Sequence, residues 1–195
     1  MTDTEKLIIS KSKELFYQKG KIKATSQEIA DFSGVQRTLV NYYFRSKDNL
    51  FKIVHSEIIQ EFHERMNAIF TANCISFEEK IDLLIEFTFL FKERYPYFEV
   101  YSIIESNKLF DKEMFMKPQS TNEMRDFLLE VQKQMDAGVI RKSHPINFVM
   151  DIFSLISYPL VLKEVYKDVF DLTEEGFEQI IQERKTIIKN LIFNK

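Results

Sequence analysis

The sequence predicts an all-α protein, as both its composition and its apolar pattern indicate. Only four Gly and four Pro occur in 195 residues, too few for a β protein rich in turns. Hydrophobic residues make up 45% of the chain and charged residues 29%, a balance typical of globular proteins. Apolar residues recur at helical spacing along most of the chain. We therefore expect long helices and no sheet.

Three helices are predicted in the first fifty residues. The first covers residues 4–19. A capping box, with Thr25 as N-cap and Glu28 three residues later, starts the second helix. The third covers about residues 36–42 and follows a turn at Gly34, where glycine tolerates left-handed backbone geometry. Two short helices joined by a tight turn that contains Gly form the helix-turn-helix pattern.

The rest of the chain is predicted to form a second helical domain, so we divide the protein into residues 1–50 and 51–195. Its helices are expected at about residues 47–71, 77–94, 120–137, 146–165 and 173–192. The helix at 146–165 contains Pro159 and is apolar nearly all round, so it should be buried on more than one side. The last helix carries an apolar stripe that needs a partner surface.

The N-terminal part of the chain is basic, although the whole chain has a net charge of -3. Residues 1–55 contain ten Lys and Arg against six Asp and Glu, whereas the remainder contains seventeen against twenty-four. A basic segment that coincides with a helix-turn-helix is where contact with nucleic acid is expected.

Several residues at fixed spacing characterise this segment. They are Thr25, Ile29, Ala30, Gly34, Val35, Tyr42, Tyr43, Phe44, Ser46, Lys47 and Leu50, preceded by Leu15, Phe16 and Gly20. Together they resemble the DNA-binding motif of the TetR family of transcriptional regulators, over about residues 7–54. The resemblance implies a cytoplasmic homodimer that binds a palindromic operator in double-stranded DNA. It also implies a repressor that a small effector releases from the operator.

The first turn of the predicted recognition helix carries side chains suited to reading bases. Gln36, Arg37 and Thr38 can reach base edges in the major groove, where Gln pairs with adenine and Arg with guanine. Leu39 and Val40 should hold the helix against the preceding one.

The end of this helix is expected to contact the DNA backbone. The resemblance places Tyr42 and Tyr43 against phosphates, whereas Phe44 should turn into the core. Lys47 lies at the start of the next helix. Its ammonium group and the free N–H groups of that helix end can bind a phosphate together. For Arg45, a phosphate contact and a plain surface cation both remain open. The complete set of predicted DNA contacts is Thr25, Ser26, Gln36, Arg37, Thr38, Asn41, Tyr42, Tyr43 and Lys47.

Aromatic residues are concentrated in the second domain, since fifteen of nineteen Phe lie after residue 55. Plain core packing and an apolar ligand cavity both explain them. The resemblance implies a cavity among the middle helices, and few charges interrupt residues 146–161, so we expect a small, largely apolar or aromatic effector. The candidate lining residues are Phe62, Phe87, Phe91, Tyr101, Ile104, Phe127, Phe153 and Ser157.

The resemblance also implies that the last two predicted helices pair with their copies in a dimer. A terminal amphipathic helix needs a partner, and an isologous dimer supplies one. Packing onto the helix's own domain is the alternative.

No motif indicates an enzyme or a bound cofactor. The sequence lacks a Gly-rich phosphate loop, an H-E-x-x-H motif and a Gly-flanked Ser. His55, His63 and His144 are not at metal-ligand spacing with Cys74, so we expect histidines at the surface or in a pocket. A single Cys and the lack of a long apolar segment predict a cytoplasmic protein that does not span a membrane.

A second hypothesis is a helical protein–protein interaction module whose helix-turn-helix pattern is incidental. That hypothesis predicts no salt-dependent affinity for DNA.

Overall fold

The computed structural model describes residues 1–102 and 120–193, and these residues form helices without any strand. The predicted all-α class is confirmed. In chain order the elements are α1 (Asp3–Lys13), a π-helical segment (Glu14–Gln18), α2 (Ser26–Ser33), α3 (Arg37–Phe44), α4 (Lys47–Phe70), α5 (Phe77–Arg94), α6 (Ser120–Asp136), α7 (Pro145–Val161), α8 (Lys163–Phe170) and α9 (Glu174–Phe193).

The chain folds as two compact units. Among the described residues, the first unit contains 1–63 and 94–102, and the second contains 64–93 and 120–193. Helices α4 and α5 each contribute residues to both units. The division at residue 50 was based on function and remains a prediction.

Local hydrogen bonds set the ends of α2. Thr25 Oγ1 accepts from the Glu28 N–H at 3.2 Å, and Glu28 Oε2 accepts from the Thr25 N–H at 2.7 Å. This is the predicted capping box. At the other end Gly34 has φ 68°, and the Val35 N–H donates to the Ala30 carbonyl at 3.0 Å. The capping box and the left-handed Gly34 therefore limit α2 to a short helix, and the turn at Gly34 leads into α3.

The first unit is built on a core shared by its N-terminal helices. Its buried side chains include Ile8, Phe16, Ile29, Ala30, Val40, Phe44, Leu50 and Val54. Phe44 is buried as predicted. The prediction for Leu39 was wrong, because its side chain is 36% exposed. Val40 and Phe44, one turn apart, occupy the inward face of α3, and Leu39 lies about 100° around the helix from Val40.

An aromatic cluster joins the end of the first helix to α4 within the first unit. The expected helix 4–19 continues as a π-helical turn over Glu14–Gln18, which buries Tyr17 completely. Tyr17 Oη shares a 2.5 Å hydrogen bond with His55 Nδ1, and the two rings stack at 6.0 Å. Tyr101 packs edge-on against Tyr17 at 5.6 Å and donates its hydroxyl to the Gly20 carbonyl.

The second unit has its own aromatic core. Phe70 and Phe127 stack with ring centroids 4.5 Å apart, and Phe77 packs against Phe127 at 6.3 Å. Beside them the buried Lys80 donates to the Phe70 carbonyl at 3.1 Å and to Glu130 Oε2 at 2.5 Å. Lys80 therefore closes the C-terminal end of α4 and links α5 to α6.

The predicted helix 146–165 is two helices. α7 ends at Val161, α8 begins at Lys163, and the pair is bent by 62° at the break. Pro159 lies inside α7, where it removes one backbone donor and weakens the last turn. Within residues 1–102 and 120–193, no single helix is long and apolar enough to cross a membrane, and α7 with α8 reach that length and composition only together.

Both α7 and α9 bury one apolar face and expose another. On α9 the buried side chains are Phe177, Ile181, Ile188 and Ile192, and the exposed ones are Ile180, Ile187 and Leu191. On α7 the buried ones are Phe148, Ile152, Ile156 and Pro159, and the exposed ones are Ile146, Met150 and Tyr158. In the isolated chain α7 is thus buried on one side, not on several as we expected.

Candidate functional sites

Helix α3 exposes four of the nine predicted DNA contacts. Arg37, Thr38, Asn41 and Tyr42 are all exposed, and Tyr42 is 78% exposed. Thr38, Asn41 and Tyr42 are spaced at three and four residues, so they lie on one side of the helix, away from the buried Val40, and Arg37 is exposed as the first residue of α3. The packing of α3 therefore presents a polar and aromatic surface to solvent.

The N-terminus of α3 is open. Gln36 is the N-cap residue with extended backbone angles, and no side-chain cap is found there among the described residues. The nearest polar contact of its side chain is a long one, 3.5 Å from Thr38 Oγ1 to Gln36 Oε1. Both side chains can therefore exchange this contact for a base edge at little cost.

The turn after α3 is held by Ser46, which the sequence predicts as the cap of the next helix, and by Asn49, whose role sequence reasoning missed. Arg45 has φ 63°, which is uncommon for a residue other than glycine. Asn49 Nδ2 donates to the Phe44 carbonyl at 3.1 Å, and the Asn49 N–H donates to Ser46 Oγ at 3.1 Å. Ser46 followed three residues later by a polar residue was the available signal. These contacts set the position of Lys47 relative to α3.

The remaining predicted contacts differ in how free their polar groups are. Thr25 Oγ1 accepts from Glu28 and also donates to Glu28 Oε2 at 2.9 Å, so its hydroxyl serves the capping box. The same Thr25 N–H and hydroxyl lower the pKa of the Glu28 carboxyl. Ser26 and Tyr43 are half-buried. Lys47 Nζ lies 3.7 Å from Asp48 Oδ1, a loose ion pair that a phosphate can replace.

Residues 8–54, which contain this surface, match the family of bacterial regulatory proteins known as the tetR family. This segment is a DNA-binding domain of the tetR family of regulatory proteins. No curated protein matches the sequence.

Three solved structures share the fold of this chain over nearly its whole length. FadR from Bacillus subtilis in complex with stearoyl-CoA is 16% identical with a TM-score of 0.63, covering 95% of this chain and 98% of FadR. Apo AibR is 14% identical with a TM-score of 0.62, covering 98% of each chain. A TetR family transcription regulator from Marinobacter aquaeolei VT8 is 12% identical with a TM-score of 0.56, covering 97% of this chain and 95% of that one. At these identities the likeness shows the fold alone.

The predicted effector residues that the structure describes fall in both units of the chain. Phe62 and Tyr101 belong to the first unit, and Phe62 packs against Phe98 at 5.8 Å. In the second unit lie Phe87, Phe91, Phe127, Phe153 and Ser157. Phe127 is a core residue, stacked on Phe70. Ile104 lies outside the described residues.

One polar contact in the second unit was not predicted. Lys92 of α5 is 7% exposed, and its Nζ donates to Ser157 Oγ of α7 at 2.6 Å. Phe91 precedes Lys92 and packs against Phe87 with ring centroids 5.6 Å apart. The signal in the sequence was a lysine placed directly after the aromatic run that ends at Phe91.

His55 is also buried, whereas we expected histidines at the surface or in a pocket. Its side chain is 1% exposed, and burial lowers its pKa to about 4. Its Nε2 has no hydrogen-bond partner within the described residues. Over the same residues, no group of three or more His, Cys, Asp or Glu is placed to hold a metal ion.

Proposed function

We propose that this protein is a TetR-family repressor that binds a palindromic operator as a homodimer, with the exposed face of α3 in the major groove. The observation that carries the proposal is that face itself. Arg37 and Thr38 at its N-terminal end are exposed for base edges, and Tyr42 at the other end is exposed for the backbone. Val40 and Phe44 are buried in the core and anchor α3, so the exposed side keeps its orientation.

The exposed apolar stripes of α7 and α9 support a homodimer. Ile146, Met150 and Tyr158 on α7, with Ile187 and Leu191 on α9, leave a large apolar surface in water. A second copy that presents the same stripes covers this surface in an isologous interface. Two copies of α3 would then read half-sites about 34–36 Å apart.

A small, largely apolar effector is proposed to release the operator. Support comes from the aromatic side chains of the second unit, such as Phe87 and Phe91, and from the fold shared with FadR, which was solved in complex with stearoyl-CoA. The effector acts only through different affinities for the DNA-bound and free states. We place the protein in the cytoplasm, where such an operator lies.

The test is binding to an inverted repeat next to the protein's own gene, measured by fluorescence anisotropy over a salt series. We expect the logarithm of affinity to fall linearly with the logarithm of salt concentration. Arg37→Ala should weaken binding to the repeat and reduce discrimination against a mismatched half-site, by about 1–3 kcal/mol. Arg141→Ala is the matched control, because Arg141 is exposed in the second unit. Absence of salt-dependent binding would favour the interaction module.

A further inference from the structure

Leu39 is an apolar residue on the exposed part of α3, between polar neighbours. Its side chain is 36% exposed, whereas Val40 at the next position is 1% exposed. Thr38 before it and Asn41 two residues after it are exposed and polar. A single exposed leucine is common on protein surfaces, so the place of Leu39 on α3 is what gives its exposure a meaning.

Leu39 extends the proposed DNA-facing side of α3. It precedes Tyr42 by three residues, so the two side chains leave the helix about 60° apart. Tyr42 is 78% exposed, and the rings of Tyr42 and Tyr43 pack edge to face with centroids 5.2 Å apart. Leu39, Tyr42 and the half-buried Tyr43 therefore give this side of α3 an apolar edge, next to the polar part that Thr38 and Asn41 provide.

Leu39 is unsuited to a phosphate and suited to an apolar group in the major groove. Its side chain has no hydrogen-bond donor, and its N–H already donates to the Gln36 carbonyl at 2.9 Å. Leu39 is the third residue of α3, and the first residues of a recognition helix are the ones that contact base edges. In the major groove thymine presents a C5-methyl group, which the other three bases lack.

We propose that Leu39 reads a thymine in each half-site of the operator, through apolar contact with the C5-methyl group of that base. This inference rests on the proposed binding of an operator by α3, and it adds the identity of one base and the residue that selects it. Cytosine at the same place lacks the methyl group and presents an amino group, for which Leu39 has no acceptor.

The experiment removes single methyl groups from the DNA. The full-length protein first selects operator duplexes from a randomised pool, and each thymine is then replaced by deoxyuridine, which pairs with adenine and lacks only the methyl group. Fluorescence anisotropy should find one thymine in each half-site whose replacement weakens binding about fourfold, the effect of burying one methyl group. Replacement in both half-sites should weaken binding on the order of fifteenfold. An operator in which no thymine shows this effect overturns the proposal.

Variants of Leu39 assign the methyl effect to this residue. Leu39→Ala should fold, because residue 39 is partly exposed and alanine favours a helix. In this variant the effect should vanish at that thymine and remain at any thymine that Thr38 contacts. Leu39→Met keeps an apolar side chain of similar volume, so the effect should persist. Leu129→Ala, at a leucine of α6 that is 57% exposed, is the matched control and should leave every effect unchanged.

The salt dependence of binding distinguishes a methyl contact from a phosphate contact. Leu39→Ala should weaken binding to the operator that contains thymine, yet the slope of the logarithm of affinity against the logarithm of salt concentration should stay the same. If every methyl effect persists in Leu39→Ala, Leu39 does not read a thymine. A salt slope reduced by about one would also contradict the proposal, since it would show that the substitution removes a phosphate contact.

Failure of this inference and failure of the proposed function give different results. Salt-dependent binding of the selected duplexes without a methyl effect that depends on Leu39 contradicts the reading of thymine and leaves operator binding by α3 intact. If the protein enriches no sequence from the pool, both the reading of thymine and the proposed binding of an operator are contradicted.

Discussion

The guanidinium Nε of Arg184 on α9 donates a hydrogen bond to the carbonyl oxygen of Leu155 on α7 at 2.8 Å. Pro159 follows Leu155 by four residues and has no N–H, so it cannot supply the helical bond that this carbonyl would otherwise accept. Arg184 therefore replaces the missing backbone donor. The contact ties α9 to α7 near the end of the apolar helix.

We predict that Arg184→Ala costs about 1–3 kcal/mol in the free energy of unfolding, because it leaves a carbonyl without its partner. Pro159→Ala restores a backbone N–H, so Arg184→Ala should cost less in that background. The coupling energy follows from urea unfolding of the wild-type protein, the two single variants and the double variant, all at the same protein concentration. Lys185→Met, at an exposed ion pair with Glu86, is the control and should cost at most about 1 kcal/mol. If the two substitutions change the free energy of unfolding additively, Arg184 does not compensate for the missing N–H of Pro159.

The positive φ of Arg45 predicts opposite effects on stability and on DNA binding. Arg45→Gly should raise the free energy of unfolding by up to about 1 kcal/mol, because glycine adopts this backbone region without strain. The same change should weaken operator binding and reduce the salt slope by about one, as expected when one phosphate contact is lost. Arg45→Ala should weaken DNA binding without the gain in stability. An unchanged salt slope in both variants would make Arg45 a plain surface cation.

Burial of His55 makes stability depend on pH in the mildly acidic range. Its pKa is lowered to about 4 in the folded protein, against 6.5 for an ordinary histidine, so between these values the unfolded chain binds the extra proton. The free energy of unfolding therefore has its full value above about pH 6.5. It falls by on the order of 3 kcal/mol as the pH drops towards 4. His55→Gln should flatten this part of the curve in urea unfolding. His144→Asn, at an exposed residue that caps α7, should leave the pH dependence of the free energy of unfolding unchanged.

The dimer proposal predicts that one charge on the apolar stripe of α9 separates the subunits. Leu191→Glu places a carboxylate on a side chain that is 60% exposed in the isolated chain, so the monomer should fold normally. Analytical ultracentrifugation should show a monomer, and operator affinity should fall because the two half-sites are no longer bound together. The control is Leu129→Glu on α6, 57% exposed and outside both stripes. A dimer that persists in Leu191→Glu places the interface elsewhere.

Gly→Ala substitutions at two glycines with the same φ distinguish the cost of backbone strain from the cost of a steric clash. Gly20 and Gly34 both have φ 68°, but a Cβ at Gly20 would lie 2.6 Å from the Tyr97 ring, whereas Gly34 faces open space. Gly34→Ala should cost about 1 kcal/mol from strain alone. Gly20→Ala should cost more, because the Tyr97 ring must also move away from its stacking position on Tyr101. In a Tyr97→Ala background, measured by thermal unfolding, the two substitutions should cost the same.

The elements that could be predicted from the sequence are those that depend on neighbours along the chain. Thr25 and Glu28 are three residues apart, and Gly34 ends α2 through its own backbone angle, so their roles are visible in a few letters. The exposed face of α3 follows equally from helical spacing once the buried side is known. Leu39 shows the limit, since an apolar residue next to Val40 could face either way, and only the packing of α3 turns it towards solvent.

The sequence by itself determined most of the helices of this protein, most of their ends and the proposed recognition surface, because short-range hydrogen bonds and periodicity encode them. Tertiary structure alone decided which stripe of α9 is buried and which is exposed. It also brought Tyr17 to His55, Lys92 to Ser157 and Arg184 to the carbonyl of Leu155. These pairs lie 38, 65 and 29 residues apart. Contacts of that range depend on how whole helices pack, and no local pattern records that.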